Sequence, residues 1–186
     1  MKIAIIGYSG AGKSTLARKL GEKYGVDVLH LDSVHFLPGW VERERADEQK
    51  IVEDFLDSHA ERGWVVDGNY TKLSYERRID EADLVIMMLL GRFACFRRAY
   101  LRSRKYKGQT RPDMGDGCAE KFDWEFATWI LWRGRSKRAR ERYRTIREKY
   151  PDKTVVLKSQ REIDRFKAIP TDLNFPAKGH TIWICV

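Results

Sequence analysis

Gly7-Tyr8-Ser9-Gly10-Ala11-Gly12-Lys13-Ser14-Thr15 decides how the rest of this chain reads. The stretch matches the phosphate-binding loop pattern G-x-x-x-x-G-K-[ST], and its flanks suit that pattern. Ile3-Ala4-Ile5-Ile6 before it is a β-branched apolar run fit for a buried parallel strand. Leu16 and Leu20 after it lie four apart, as on one face of a helix. Glycines at 7, 10 and 12 let the backbone turn tightly and aim its N–H groups at an anion. The N-terminus of the following helix adds partial positive charge at the same spot. Lys13 is placed to reach the β- and γ-phosphates, and the Ser14 hydroxyl to hold Mg²⁺. The expected ligand is a nucleoside triphosphate, contacted by Gly7, Ser9, Gly10, Ala11, Gly12, Lys13, Ser14 and Thr15.

Working outward, 186 residues fit one domain with a real core. No targeting segment is visible, and the longest apolar run, Leu84 to Leu90, is far too short to span a bilayer. Cys95, Cys118 and Cys185 form no C-x-x-C pair, which reads as reduced thiols in a cytoplasmic protein rather than a zinc site or disulfide frame. The order of elements alternates strand and helix. Val26 to Leu31 reads as a second strand ending at Asp32, and a charged helix runs through Ile51, Phe55 and Leu56. Gly63 to Val66 is a third strand closing on Asp67-Gly68-Asn69-Tyr70, and Leu84 to Leu90 a fourth, followed by helix from about Phe93. A Gly/Pro-rich interval, Gly108 to Gly117, precedes one long helix reaching about Tyr150; Thr154 to Leu157 is a fifth strand, and Glu162 to Phe166 a last short helix. Such alternation implies βαβ crossovers and a parallel sheet covered on both faces, a three-layer α/β fold.

Ligands of such sheets bind beyond the carboxyl ends of the strands. That rule singles out Asp32 for the acceptor side and Asp67 for Mg²⁺ water or substrate, although Asp is equally at home as a turn or cap residue. Gly68 suits a place where a ligand approaches the backbone. Phe36, Trp40 and Tyr70 fit either an aromatic-lined pocket or the core, and His30 and His35 read as structural.

Charge is uneven. The chain carries 36 Lys+Arg against 27 Asp+Glu, a net +9, whereas Arg92 to Lys149 holds 18 basic and 7 acidic residues, or +11. The whole surplus therefore sits in that segment. Arg92 to Arg111 has eight basic residues and no acid. Arg97, Arg98, Arg102, Lys105 and Arg111 suggest a mobile lid, at about 103–120, that brings guanidinium groups onto a triphosphate. The second run, Arg133 to Lys149, is either a solvated helix face or a contact for a phosphate-rich macromolecule. Trp129 and Trp132, three apart, read as core-facing.

The phosphate loop, His30-Leu31-Asp32, Pro38-Gly39-Trp40, Val66-Asp67-Gly68-Asn69-Tyr70, Thr110-Arg111-Pro112-Asp113-Met114 and Tyr150-Pro151-Asp152-Lys153 together resemble the bacterial DNA topology modulation protein family, itself similar to adenylate and shikimate kinases. The likeness runs from residue 1 to about 167. It implies a nucleoside-kinase-like fold with a five-stranded parallel core, ATP and Mg²⁺ at Gly10 to Thr15, a lid arginine at Arg111 and an acceptor facing Asp32. Ser159-Gln160-Arg161 resembles the loop that lines the adenine ring. The family name implies an effect on DNA, but no nucleic-acid reader motif is evident. Where adenylate kinases carry Asp-Gly-Phe-Pro-Arg, this chain has Asp67-Gly68-Asn69-Tyr70-Thr71, so AMP is unsupported as acceptor unless Arg77 or Arg78 substitutes. The expectation is a single domain over 1–169 that transfers phosphoryl groups to a small molecule or nucleotide, with 170–186 an extension of unread role. The alternative is a nucleotide-dependent regulatory or DNA-associated protein.

Overall fold

In the computed structural model the described residues are 1–111 and 113–169. Pro112, Cys185 and the 170–186 extension lie outside them. In chain order the elements are β1 (Lys2–Gly7), α1 (Lys13–Tyr24), β2 (Asp27–His30), α2 (Leu31–His35), β3 (Phe36–Leu37), β4 (Val41–Glu42), α3 (Arg45–Ser58), β5 (Trp64–Asp67), α4 (Tyr75–Glu81), β6 (Leu84–Met88), α5 (Arg92–Lys105), α6 (Trp124–Leu131), α7 (Lys137–Lys149), β7 (Thr154–Leu157) and α8 (Gln160–Ala168). Five strands form one parallel sheet in the order β2-β5-β1-β6-β7. The expected α/β sandwich with a five-stranded parallel sheet is what the chain forms. β3 and β4 make a separate antiparallel hairpin.

The strands are apolar on both faces because both are covered. Along β1, Ile3 and Ile5 enter a cluster with Leu16, Leu20, Cys95, Ala99 and Phe166, so α1, α5 and α8 lie on that side. Ala4 and Ile6 point the other way, into Leu31, Val52, Leu56, Ile79, Tyr143 and Ile146 of α2, α3, α4 and α7. That period of two on a fully buried strand is the signature of a central parallel strand. From β1 the chain crosses to β2 on one side, and β6 and β7 follow on the other, which puts the topological switch beside the carboxyl end of β1.

Four local readings change. The second strand stops at His30, and Asp32 sits in the first turn of α2 instead of directly after a strand. A helix, α4, occupies 75–81 where only a connection was expected. The single long helix before Tyr150 is two. Ser136 caps α7 by accepting from the Ala139 N–H at 3.2 Å, and Asp123 caps α6 through Phe126 at 2.8 Å. Trp129 and Trp132 do not face the core: they are 49% and 57% exposed, beside Trp124 at 79%. α6 instead buries Ala127 and Ile130, which leaves the tryptophans outward.

Candidate functional site

Parallel register assembles the site. Asp67, the last residue of β5, pairs with Ile5 of β1 on one side and His30 of β2 on the other. Two residues further on, Gly7 and Asn69 therefore run side by side. The Asn69 side chain uses that position fully: its Oδ1 accepts from the Gly7 N–H at 2.9 Å and its Nδ2 donates to the Gly7 carbonyl at 2.5 Å. One amide thus fixes the entry to the phosphate loop.

Inside the loop the backbone has no slack. Gly10 has φ +78°, and a Cβ there would come within 2.5 Å of the Cys95 carbonyl oxygen of α5. Gly7 has φ +141°, and a Cβ on it would run into the Met88 backbone. Only glycine meets both demands. Arg98 of α5 donates to the Ala11 carbonyl at 2.6 Å and also bonds the Gln160 side chain, so α5 and α8 brace the loop from outside. Trp129 donates to the Ser9 hydroxyl at 3.1 Å. Thr15 is exposed in the first turn of α1, and Arg161 is exposed in the first turn of α8, next to Gln160.

The charged centre lies at the start of α1. Lys13 donates to the Tyr8 carbonyl at 3.3 Å. Burial lowers its pKa, against the pull of the Asp32 and Asp67 carboxylates, and the nearby Arg102 lowers it further. The Ser14 hydroxyl donates to Asp67 Oδ2 at 2.9 Å. The other oxygen of Asp67 takes the His30 ring nitrogen Nδ1. Burial of that ring works against its charged form, but the hydrogen bond and charge of Asp67, with Asp113 and Asp32 behind it, outweigh burial and raise the His30 pKa. Ser14, Asp67 and His30 therefore form one chain of contacts. Among the described residues no group of three or more His, Cys, Asp or Glu side chains is arranged to hold a metal. The Ser14–Asp67 pair instead offers the sparse protein contact of an ion that keeps waters and takes its remaining ligands from phosphate oxygens, which fits Mg²⁺.

Around Asp32, Tyr70 donates to its Oδ1 at 2.9 Å, and burial followed by the Asp32 charge raises the phenol's pKa. His35 bonds the buried Glu48 at 2.5 Å and packs against Phe36 and Tyr70. Trp40 closes the hairpin edge-on to Phe36, with its Nε1 donating to the Ala119 carbonyl at 3.0 Å. Two sequence-named residues have other surroundings than expected. The close approach at Gly68 is made by Leu31, whose Cβ would lie 2.8 Å from a side chain there. Arg78 is fully buried, donating at 2.8 Å to the carbonyls of Leu73 and Tyr70, and burial brings its pKa down to about 10. It ties down the 70–73 turn.

Two of the expected lid arginines are paired with carboxylates. Arg111 donates to Asp113 at 2.8 Å, and its Nε lies 2.5 Å from Glu120 in an ion pair too bent to count as a hydrogen bond. Arg102 donates to the other oxygen of Glu120 at 2.9 Å. Glu120, which the sequence reading passed over, is buried between them. The 106–123 segment lies on the β3–β4 hairpin through Gly39 N–H to the Gly117 carbonyl at 3.1 Å and Cys118 to the Leu37 carbonyl at 3.2 Å.

No match is found among curated proteins. Among solved structures the chain is similar to an uncharacterized protein from Eubacterium ventriosum ATCC 27560, with 16% identity, TM-score 0.49, and coverage of 89% of this chain and 96% of that one. It is similar to a sugar kinase from Janibacter sp. HTCC2649 at 14% identity and TM-score 0.49, covering 89% and 91%. It is also similar to shikimate kinase from Bacteroides thetaiotaomicron at 19% identity and TM-score 0.49, covering 90% and 94%. Residues 3–113, more than half of the chain and all of the phosphate loop and both aspartates, match the family described as AAA domain, and the chain belongs to that family.

Proposed function

We infer that this protein is an ATP-dependent phosphotransferase of the phosphate-loop type, working on a small-molecule or nucleotide acceptor. The observation that carries the reading is the Lys13–Ser14–Asp67 arrangement at the end of a glycine loop that has no room for a side chain at Gly7 or Gly10. ATP with Mg²⁺ supplies the transferable phosphoryl group. Lys13 offsets the charge on the phosphates, and Ser14 and Asp67 hold the ion directly or through water. Asp32, oriented by Tyr70, accepts a hydrogen bond from the acceptor hydroxyl and takes its proton as transfer proceeds. Trp40 lines the acceptor side. Arg111 and Arg102 supply positive charge to the reacting phosphates once they leave Glu120, and Arg161 flanks the base. The fold unit is one domain over 1–169, with the lid at about 103–120. Buried Cys95 and Cys118, both free, favour a reducing compartment and thus the cytoplasm. No helix among the described residues is long and apolar enough to cross a membrane.

A second reading, a nucleotide-dependent regulator or DNA-associated protein of the topology modulation type, is favoured by the outward Trp124, Trp129 and Trp132 beside basic residues. ADP release from Mg-ATP, measured against a panel of nucleosides, nucleoside monophosphates, sugars and hydroxy acids, separates the two. Acceptor-stimulated turnover that falls by about 10³-fold in Lys13→Ala is expected. Tight ATP binding with no acceptor dependence would give the protein to the second reading.

A further inference from the structure

A second basic region adjoins the loop on the α7 side. Two concavities flank Tyr8. One, of about 180 Å³, is lined by Arg140, Arg144 and Arg147 of α7 and by Lys158 just beyond β7. The other, of about 230 Å³, is lined by Arg92, Arg135 and again Arg140, with Trp132 at its wall. No carboxylate lines either one. Arg140 and Arg147 stand seven apart, two turns along one face of α7, with Arg144 between them. Their helix is anchored by Tyr143 and Ile146, which are buried, so the arginines are presented from a fixed support.

A basic helix face is ordinarily just solvated, and pairs along it are worth little. Three observations set this one apart. Arg92, Arg140 and Arg147 have no carboxylate partner among the described residues, and Arg144 has only Glu148 at 3.6 Å on its own helix. Arg135 is held in place: it donates to the carbonyls of Ile130 and Leu90 at 3.0 and 2.9 Å and lies 3.8 Å from the centre of the Tyr8 ring. Finally, the cations converge on concave space from two elements distant in sequence, α7 and the end of β7. Like charges gathered without counter-charge repel one another, and a bound anion relieves that cost.

The geometry points to an anion site for a compact oligophosphate that adjoins the phosphate loop, with Tyr8 common to both. Each space is smaller than a drug-sized pocket, which favours a short chain of phosphate groups over a macromolecule. Arg140 lines both spaces, so a chain of two or three phosphates can bridge them. Lys13 donates to the carbonyl of the same Tyr8, at 3.3 Å, so one residue touches both sites.

Inorganic tripolyphosphate is the probe, titrated calorimetrically into the full chain at low salt. Wild type is expected to take up two equivalents, one in the loop and one in the groove. Lys13→Ala should lose the first and keep the second. Arg140→Ala/Arg147→Ala should keep the first while the groove affinity falls at least about tenfold, as expected for two lost charge-assisted contacts. Both side chains are exposed, so the fold is expected to survive; should the double variant fail to fold, Arg92→Ala reports on the second space alone. Uptake of a single equivalent that Lys13→Ala abolishes and the arginine variants leave unchanged would overturn the site. So would a single-stranded oligonucleotide that displaces tripolyphosphate from Arg140 and Arg147 and binds at least about a hundredfold tighter, since the surface would then belong to nucleic acid.

Discussion

The phosphate loop and the 106–123 segment are held in different ways. In the loop, side chains of other elements hold the backbone at its N–H and carbonyl groups. Asn69 takes both polar groups of Gly7, Arg98 takes the Ala11 carbonyl, and positive φ values at Gly7 and Gly10 fix the path. In the 106–123 segment, buried ion pairs join hydrogen bonds to the β3–β4 hairpin. Arg102 and Arg111 share Glu120, Arg111 adds Asp113, and among the described residues the isolated bridges Lys107 to Glu120 and Thr110 to Ala119 supply backbone pairing beside the Gly39–Gly117 hydrogen bond. A backbone cradle held at these points is preorganised. Ion pairs can exchange one anion for another. On the proposed function, the loop serves fixed binding and the segment exchanges partners when a polyphosphate arrives.

The comparison breaks first at Gly10. Gly10→Ala puts a methyl group 2.5 Å from the Cys95 carbonyl at φ +78°, where a non-glycine residue is already strained. The expected cost is about 2–4 kcal/mol from strain and overpacking together. In a thermal melt that is a fall of roughly 5–15 °C for a domain of this size, with nucleotide affinity lost alongside. An unchanged melting temperature would mean that the loop yields, and the contrast with the 106–123 segment would disappear.

Two substitutions sharpen it by separating holding from chemistry. Glu120→Gln leaves two guanidinium groups facing each other across a neutral amide, and should cost about 1–3 kcal/mol of stability while kcat stays within about threefold. Arg111→Ala should do the reverse: about 10²-fold in kcat, with KM for ATP changed little, if its charge acts, as proposed, while the phosphoryl group moves. Equal losses of kcat in both variants would make the segment a static part of the site.

Much of this was legible from local sequence, and the reason is local physics. Gly7 to Thr15 carries its own geometry, since few other structures require glycines and Lys-Ser at that spacing, and the β-branched runs of β1, β5, β6 and β7 read as buried parallel strands. What could not be read depends on register and tertiary contact. Asn69 holds Gly7 only because Ile5 pairs with Asp67, a fact of strand alignment. The turn at His30 becomes α2 through tertiary packing of Leu31 and Val34, which the short stretch does not announce. Arg78 looks like any helix arginine until the 70–73 turn folds over it. Glu120 has significance only once Arg102 and Arg111 meet it. The outward tryptophans failed for a different reason: three-residue spacing marks one face of a helix but not which face is covered.

The smallest expected effect lies where the loop meets β2. His30 bonds Asp67, and its pKa is raised in the folded protein because the Asp67 contact outweighs the burial of the ring. A base whose folded pKa exceeds its unfolded value of about 6.5 stabilises the fold fully below that unfolded value. The contribution is then lost as pH rises through the folded pKa, when the imidazolium gives up its proton. His30→Gln should accordingly lower the melting temperature more at pH 5.5 than at pH 9, measured without nucleotide or divalent ions. The Ser14–Asp67 bond does not depend on the imidazole proton, so Ser14→Ala should lower stability by a similar amount at both pH values. If His30→Gln instead gave the same drop at both ends, the ring would be acting by packing alone. Asp67 would then be oriented by the loop serine and the charge of Lys13.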